Sequence, residues 1–272
     1  MDYTRNWLKR NPENFPVASW LLPKAARAPI LAFYAFARGA DEIADDIHMS
    51  AEQRQHALLS LEMTLMAGEG KLPEFAKEYS MLILQYPPLL SYGRDLLSAF
   101  VQDTVKTRYH DYNDLIDYCQ RSAAPVGRAV LTLCGEKAVN LAASDALCNA
   151  LQILNHIQDC SDDYVNRDRV YLPLAWFALS KITVAALAAS EASLQLRQVI
   201  DHGLDNCDQL LTKAKPLFKT IEDKRLRKEI RLIYLLAQKL SARLRKHDPL
   251  QSKIRVGKLT VMWCTAKALI SV

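Results

Sequence analysis

Apolar residues recur with a period near 3.6 through almost the whole chain, and the residues that would interrupt that rhythm are few, with 8 glycines and 11 prolines among 272 residues. Such periodicity is the signature of amphipathic helices. The spacing predicts helices over 29–47, 51–67, 74–85, 88–107, 112–133, 141–164, 192–217 and 224–245. Between them lie short breaker clusters, as at Gly70 and Pro73, Pro87 and Pro88, and Asp248 and Pro249. Scarce turn residues and abundant helix formers disfavour a sandwich, a barrel or a Rossmann domain. No linker long enough to separate domains appears, so residues 1–272 are expected to form one all-α domain.

The charge balance, 35 Lys and Arg against 30 Asp and Glu, is too small and too dispersed to demand nucleic acid, and no basic motif interleaved with aromatics is present. Six cysteines lie far apart without CxxC spacing, and the first 30 residues carry Lys9, Arg10 and prolines where a signal peptide has an apolar core. The expected location is cytoplasmic. The most apolar stretch, 172–189, is interrupted by Pro173 and Lys181, unlike a membrane span. Near the C-terminus a basic segment, Lys253 to Lys258, precedes an apolar tail from Trp263 to Val272. That tail is read either as a peripheral membrane face or as a helix packed on the core.

Two of the expected helices carry the same polar stripe in apolar surroundings. The first is Tyr34-x3-Arg38-x2-Asp41-x3-Asp45 and the second Gln152-x2-Asn155-x3-Asp159-x3-Asp163. Residues at these offsets fall on one helix face. Carboxylates four residues apart repel there, by roughly 0.2–0.5 kcal/mol in an isolated helix. A lone Asp-x3-Asp is ordinarily a solvated face, but two of them, each extended upstream by polar residues, point to a shared cavity. Clustered hard oxygens suit a divalent cation, with Mg2+ the best candidate and a diphosphate completing its shell. Glu42, Asp46 and Asp162 point away from the stripes. The run from Asn166 to Pro173 places Arg169 and Tyr171 at the rim of the same cavity or, equally, in an exposed helix-terminating turn. His156 reads as a packing residue, and P-loop, GxGxxG and GxSxG motifs are absent.

These stripes, with Tyr118-Cys119-x2-Ser122-Ala123-x-Pro125-Val126-Gly127 and Arg169-Val170-Tyr171-Leu172-Pro173, resemble the squalene/phytoene synthases over nearly the whole chain. The resemblance implies an isoprenoid synthase fold with a central cavity between helices. It implies that Asp41, Asp45, Asp159 and Asp163 hold Mg2+, or Mn2+ in its place, against a prenyl diphosphate. By the same resemblance, Gln152 and Asn155 support the second stripe, Arg38 and Arg169 neutralise the leaving diphosphate, Tyr34, Tyr118, Tyr171 and Tyr234 face carbocations, and Phe15 lines the prenyl channel. Gly127 would allow a kink or a close approach. The chain departs from the family pattern at Glu42, where a second aspartate is commoner, at Asp168, where a glycine is usual, and at Asp162, often basic or neutral.

The segment Glu13-Asn14-Phe15-Pro16-Val17 and Pro125 look most like the hydroxysqualene synthase branch, which implies conversion of presqualene diphosphate to hydroxysqualene without NADPH. Alternatives within the family are condensation of two farnesyl diphosphates to presqualene diphosphate, squalene or dehydrosqualene, or of two geranylgeranyl diphosphates to phytoene. A non-catalytic helical relative would be expected to lack the aspartates. The implied partners are a prenyl diphosphate, companion squalene-pathway enzymes and a membrane neighbour for the lipid product.

Overall fold

The structure, a computed structural model, describes residues 20–137 and 139–270. The Glu13–Val17 segment, including Phe15, lies outside them. Helix α1 (Lys24–Ala44) starts a turn and a half before the expected Pro29. Arg27 ties this entry down by donating to the carbonyl oxygens of Trp20 at 2.6 Å and Leu22 at 3.1 Å. Helix α2 (Ala51–Ala67) opens on a reciprocal Ser50–Gln53 cap and closes on Gly68 at φ 69°. Helices α3 (Glu74–Gln85) and α4 (Pro88–Asp103) follow across a proline turn.

The helix expected over 112–133 is two, α5 (Tyr112–Ser122) and α6 (Ala124–Leu133). Pro125 causes the break, since its ring excludes the carbonyl four residues earlier and it has no N–H to continue the ladder. The helix expected over 141–164 is also divided, into α7 (Leu141–Gln158) and α8 (Cys160–Arg167). Here the register survives, because Asp159 N–H donates to Asn155 O at 2.9 Å and Asp163 N–H to Asp159 O at 2.8 Å. The acidic stripe therefore stays on one face.

Periodicity did not mark α9 (Leu174–Leu179) or the 3-10 turn Val184–Ala188. Both are too short to show a helical repeat. The chain ends in α10 (Leu194–Ala214), α11 (Leu217–Thr220), α12 (Lys224–Leu244) and α13 (Lys258–Ile270). Among the described residues there is no strand, only an isolated bridge between Arg108 and Val170. None of their helices is long and apolar enough to cross a membrane.

Helix α7 packs against α5, α6, α10, α11 and α12. Ile153, Leu154 and Ile157 have no accessible surface, and burying each contributes about 1.5–3 kcal/mol. Helix α10 lies directly against it at Gly203, whose missing Cβ would stand 3.0 Å from Ile157. A second close approach joins α1 to α3 at Gly39, where an added Cβ would meet the Phe75 ring at 2.4 Å. Gly39 sits between Arg38 and Asp41, so this contact also fixes the first stripe. Gly39→Ala is expected to destabilise the protein by about 1–3 kcal/mol through overpacking, read as a lowered denaturant midpoint with unchanged helix content.

Candidate active site

Helices α1, α4, α6, α7 and α12 enclose a cavity of about 500 Å³, within the usual range for ligand sites of roughly 300–1,000 Å³. Its body is apolar, built from side chains such as Phe33, Leu96, Phe100, Val130, Leu151 and Ile230. Its mouth is charged. Arg38, Asp41 and Asp45 arrive from the end of α1, and Asp163, Arg167 and Arg169 from α8 and the segment after it.

Helix polarity makes the mouth an unusual place for anions. Asp41 and Asp45 stand at the C-terminal end of α1, where the helix dipole disfavours negative charge, while Asp159 lies at the junction of α7 and α8. Cations offset this. Arg38 donates to Asp41 Oδ2; Arg167 reaches both Asp45 and Asp163 at 3.4 Å, joining the two stripes; Arg169 reaches Asp45 at 3.2 Å; and Lys253 lies 2.8 Å from Asp159. Burial still dominates at two positions. It pushes the Asp41 carboxyl up to about 6 against the charge of Arg38, and that of Asp163 up to about 7, helped by repulsion from Asp159. Among the described residues no three His, Cys, Asp or Glu side chains converge into a closed metal cage.

Behind the mouth lies a buried polar network on the cavity wall, centred on Asp103. Tyr118 donates to Asp103 Oδ2 at 2.7 Å and Tyr171 to Oδ1 at 3.1 Å. Arg169 donates to the Asp103 carbonyl oxygen at 3.0 Å and to the Tyr171 hydroxyl at 3.2 Å. Burial pushes the Asp103 carboxyl up to about 7 despite the neighbouring guanidinium. His156 stacks on Tyr171 with ring centroids 3.6 Å apart, and burial together with the Arg169 charge pushes it down to about 3, so its imidazole is neutral near pH 7. Tyr109 packs on Tyr118 and Tyr171. The result is an electron-rich aromatic wall backed by a carboxylate, an arrangement that favours a cation in the cavity.

Most residues singled out from the sequence meet here. Tyr34, Arg38, Asp41, Asp45, Tyr118, Gln152, Asp163, Arg169 and Tyr171 all line the cavity. Asn155 and Asp159 lie on the Gln152 face of α7, one and two turns on, outside the lining. Tyr234 does not belong with them. It lines a separate pocket with Asp208, Ser241 and Arg245, because on α12 its neighbour Ile233 takes the cavity-facing position. Gly127 makes the close approach expected of it, since a Cβ there would meet Cys148 Sγ at 2.5 Å on α7. Asp168 takes a left-handed conformation, φ 51°, which explains why a glycine suits that position. Here Arg108 holds it, donating to both its carbonyl and its carboxylate oxygen.

Sequence reasoning missed Asp103, Arg167 and a cavity position for His156. Asp103 left a signal, since it continues the apolar spacing of Leu96 and Phe100 on α4 and so had to face the interior. Arg167 left a partial signal, since it continues the second stripe four residues after Asp163, but only the fold brings it to Asp45.

The model of the family described as squalene/phytoene synthase matches residues 8–260. The chain belongs to this family. Among its relatives, hydroxysqualene synthases of Sinorhizobium fredii and Zymomonas mobilis are each 38% identical, covering 92% and 90% of this chain and 85% and 83% of their own. The crystal structure of squalene synthase HpnC from Alicyclobacillus acidocaldarius superposes with a TM-score of 0.77 at 29% identity, covering 90% of this chain and 92% of that one. A dehydrosqualene synthase in complex with a ligand reaches a TM-score of 0.80 at 22% identity, over 99% of this chain and 95% of that one. The family's all-α isoprenoid synthase architecture is thus the architecture of this chain.

The wall network and the misplaced tyrosine give opposite expectations. Asp103→Asn removes the charge that orients Tyr118, Tyr171 and, through Tyr171, Arg169, and should lower turnover about 10- to 100-fold, as loss of a charged hydrogen bond does, with helix content retained by circular dichroism. Tyr234→Phe should leave steady-state turnover within about twofold of wild type, because its hydroxyl is remote from the cavity.

Proposed function

We propose that this chain is a hydroxysqualene synthase, converting presqualene diphosphate and water to hydroxysqualene and diphosphate. One observation carries the reading: a mouth of carboxylates and arginines opens onto an apolar cavity with an aromatic, carboxylate-backed wall. That polarity gradient matches a substrate with an anionic head and a long hydrocarbon body. The 38% identity to hydroxysqualene synthases over nine-tenths of the chain supports the same assignment.

The chemistry divides along the gradient. Arg38, Arg167 and Arg169 bind the diphosphate and neutralise the charge that gathers on it as the carbon–oxygen bond breaks, the electron pair leaving with the diphosphate. The cyclopropylcarbinyl cation left behind rearranges inside the apolar body, where Phe33, Phe100 and Leu151 exclude stray water. Tyr118, Tyr171 and His156 present their rings to the cation, and Asp103 strengthens the field. A water oxygen then forms the new carbon–oxygen bond and releases one proton. Water supplies the hydroxyl, so the balance requires no NADPH.

The donor set at the mouth fits Mg2+. Its carboxylates are hard oxygen ligands arriving at one mouth from α1 and α8, and burial holds Asp41 and Asp163 above the ordinary carboxylate range despite the nearby arginines. Asp41, Asp45, Asp159 and Asp163 would hold the ion, which supplies Lewis-acid assistance to diphosphate departure.

Incubation with Mg2+ and presqualene diphosphate, without NADPH, should give hydroxysqualene by mass spectrometry; product from farnesyl diphosphate instead would reassign the chain to a condensing synthase. Asp41→Ala and Asp159→Ala should each abolish diphosphate release without loss of helicity, and turnover persisting in both would refute the carboxylate clamp. Metal binding should also depend on pH. Carboxyls raised to about 6 and about 7 are partly protonated at pH 6 and must lose those protons to bind a cation. Apparent Mg2+ affinity by calorimetry should therefore climb from pH 6 to pH 8 with proton release, and a flat profile would contradict these shifts. Stability of the metal-free protein should move the other way: a raised carboxyl favours the folded state most below its unfolded pKa, about 4, and that contribution is lost as pH rises through 6 to 7.

A further inference from the structure

The charge of this chain is not evenly spread. Residues 224–270 hold 13 of its 35 Lys and Arg but only two of its 30 acids, Glu229 and Asp248. From Lys253 to Ile270 there is no acid at all. A region this cationic in a chain of net charge +5 leaves the remainder net acidic.

Helix α13 joins that charge to exposed apolar surface. Cys264 and Ala268 are buried against Leu21 and against Leu232, Leu235 and Leu236 of α12. On the opposite side Leu259 is 82% exposed, Met262 67%, Trp263 48% and Ile270 84%. These positions, with exposed Ala266 among them, follow the spacing of one helix face. Trp263 is flanked by two ammonium groups, Lys239 Nζ 4.8 Å and Lys267 Nζ 4.9 Å from its ring centroid. Lys239, Lys258 and Lys267 make no ion pair among the described residues. Trp20, 63% exposed, precedes Leu21 of the same cluster in the chain.

We propose that the outer face of α13, with Trp20 beside it, docks this protein on an anionic lipid bilayer. An apolar row bordered by lysines, with tryptophan between the two, is the pattern of a helix lying in the headgroup plane. Charge selects the occupant. Another exposed apolar row, Leu59, Met63 and Met66 on α2, is bordered by Glu62 and Glu69 and has no such complement. Placement adds a functional reason. Helix α12 separates the two sites, turning Leu226, Ile230 and Ile233 to the prenyl cavity and Leu232, Leu235 and Leu236 to α13. The docked face thus backs onto the apolar wall of the cavity rather than its charged mouth. The inference does not depend on which prenyl product is made.

Flotation of the full chain with phosphatidylcholine vesicles, with and without phosphatidylglycerol, tests this. The protein should float with the phosphatidylglycerol vesicles, less at high salt and little with phosphatidylcholine alone. Both K258E/K267E and L259E/M262E should reduce that binding about tenfold or more, with wild-type circular dichroism and unchanged turnover of detergent-dispersed substrate. Two variants guard against one failing to fold. The proposal is overturned by absence of flotation with anionic vesicles, by equal flotation of the variants, or by size-exclusion chromatography showing a dimer that L259E/M262E dissociates while vesicle binding persists.

Discussion

Carboxylates crowded at the mouth of the cavity set the terms for the rest of this molecule. Asp41 and Asp45 stand at the C-terminal pole of α1, where the backbone already presents negative potential, and Asp163 comes within reach of the same arginine as Asp45. Left alone they would drive α1 and α8 apart. Arg38, Arg167 and Arg169 hold them together, so the mouth stays closed enough to be a site, with the charge that the proposed diphosphate and its cation would need. The arginines that brace the mouth are also the groups a substrate anion would engage, which couples the integrity of the site to its occupancy.

The wall behind the mouth extends that economy. Arg169 contacts Asp45 with one edge and the Asp103 carbonyl with the other, so one guanidinium links the charged mouth to the tyrosine pair. Asp103 fixes both phenols, and Tyr171 in turn carries the stacked His156. The hydrogen-bonded members Asp103, Tyr118, Tyr171 and Arg169 are held by one another, and loss of one leaves the rest short of a partner at high cost. Rigidity matters in a site whose reactive species is a carbocation, since fixed dipoles and ring faces need no reorganisation as charge appears.

The departures from the expected sequence pattern prove local and compensated. Asp168 accepts a left-handed backbone that glycine would adopt freely, and the Arg108 side chain anchors it. Pro125 divides a helix, and two residues later Gly127 lets α6 settle against Cys148 of α7. Neither change moves a charged residue away from the mouth.

Periodicity, scarce breakers and the paired stripes determined the helical class, most of the long helices and the placing of each acidic stripe on one helix face, because helical spacing is a local property that one strand of sequence carries in full. Short elements such as α9 escaped, having too few residues to repeat. Tyr234 was misplaced for a related reason: on α12 Tyr234 is buried and Ile233 partly so, and the sequence does not say which of two interiors each one enters. Asp103 opposite Tyr118 and Tyr171, and Arg167 opposite Asp45, depend on contacts between residues 15 to 122 positions apart. Only the tertiary structure decides such pairings, since they are set by how helices cross and not by the order of residues along any one of them.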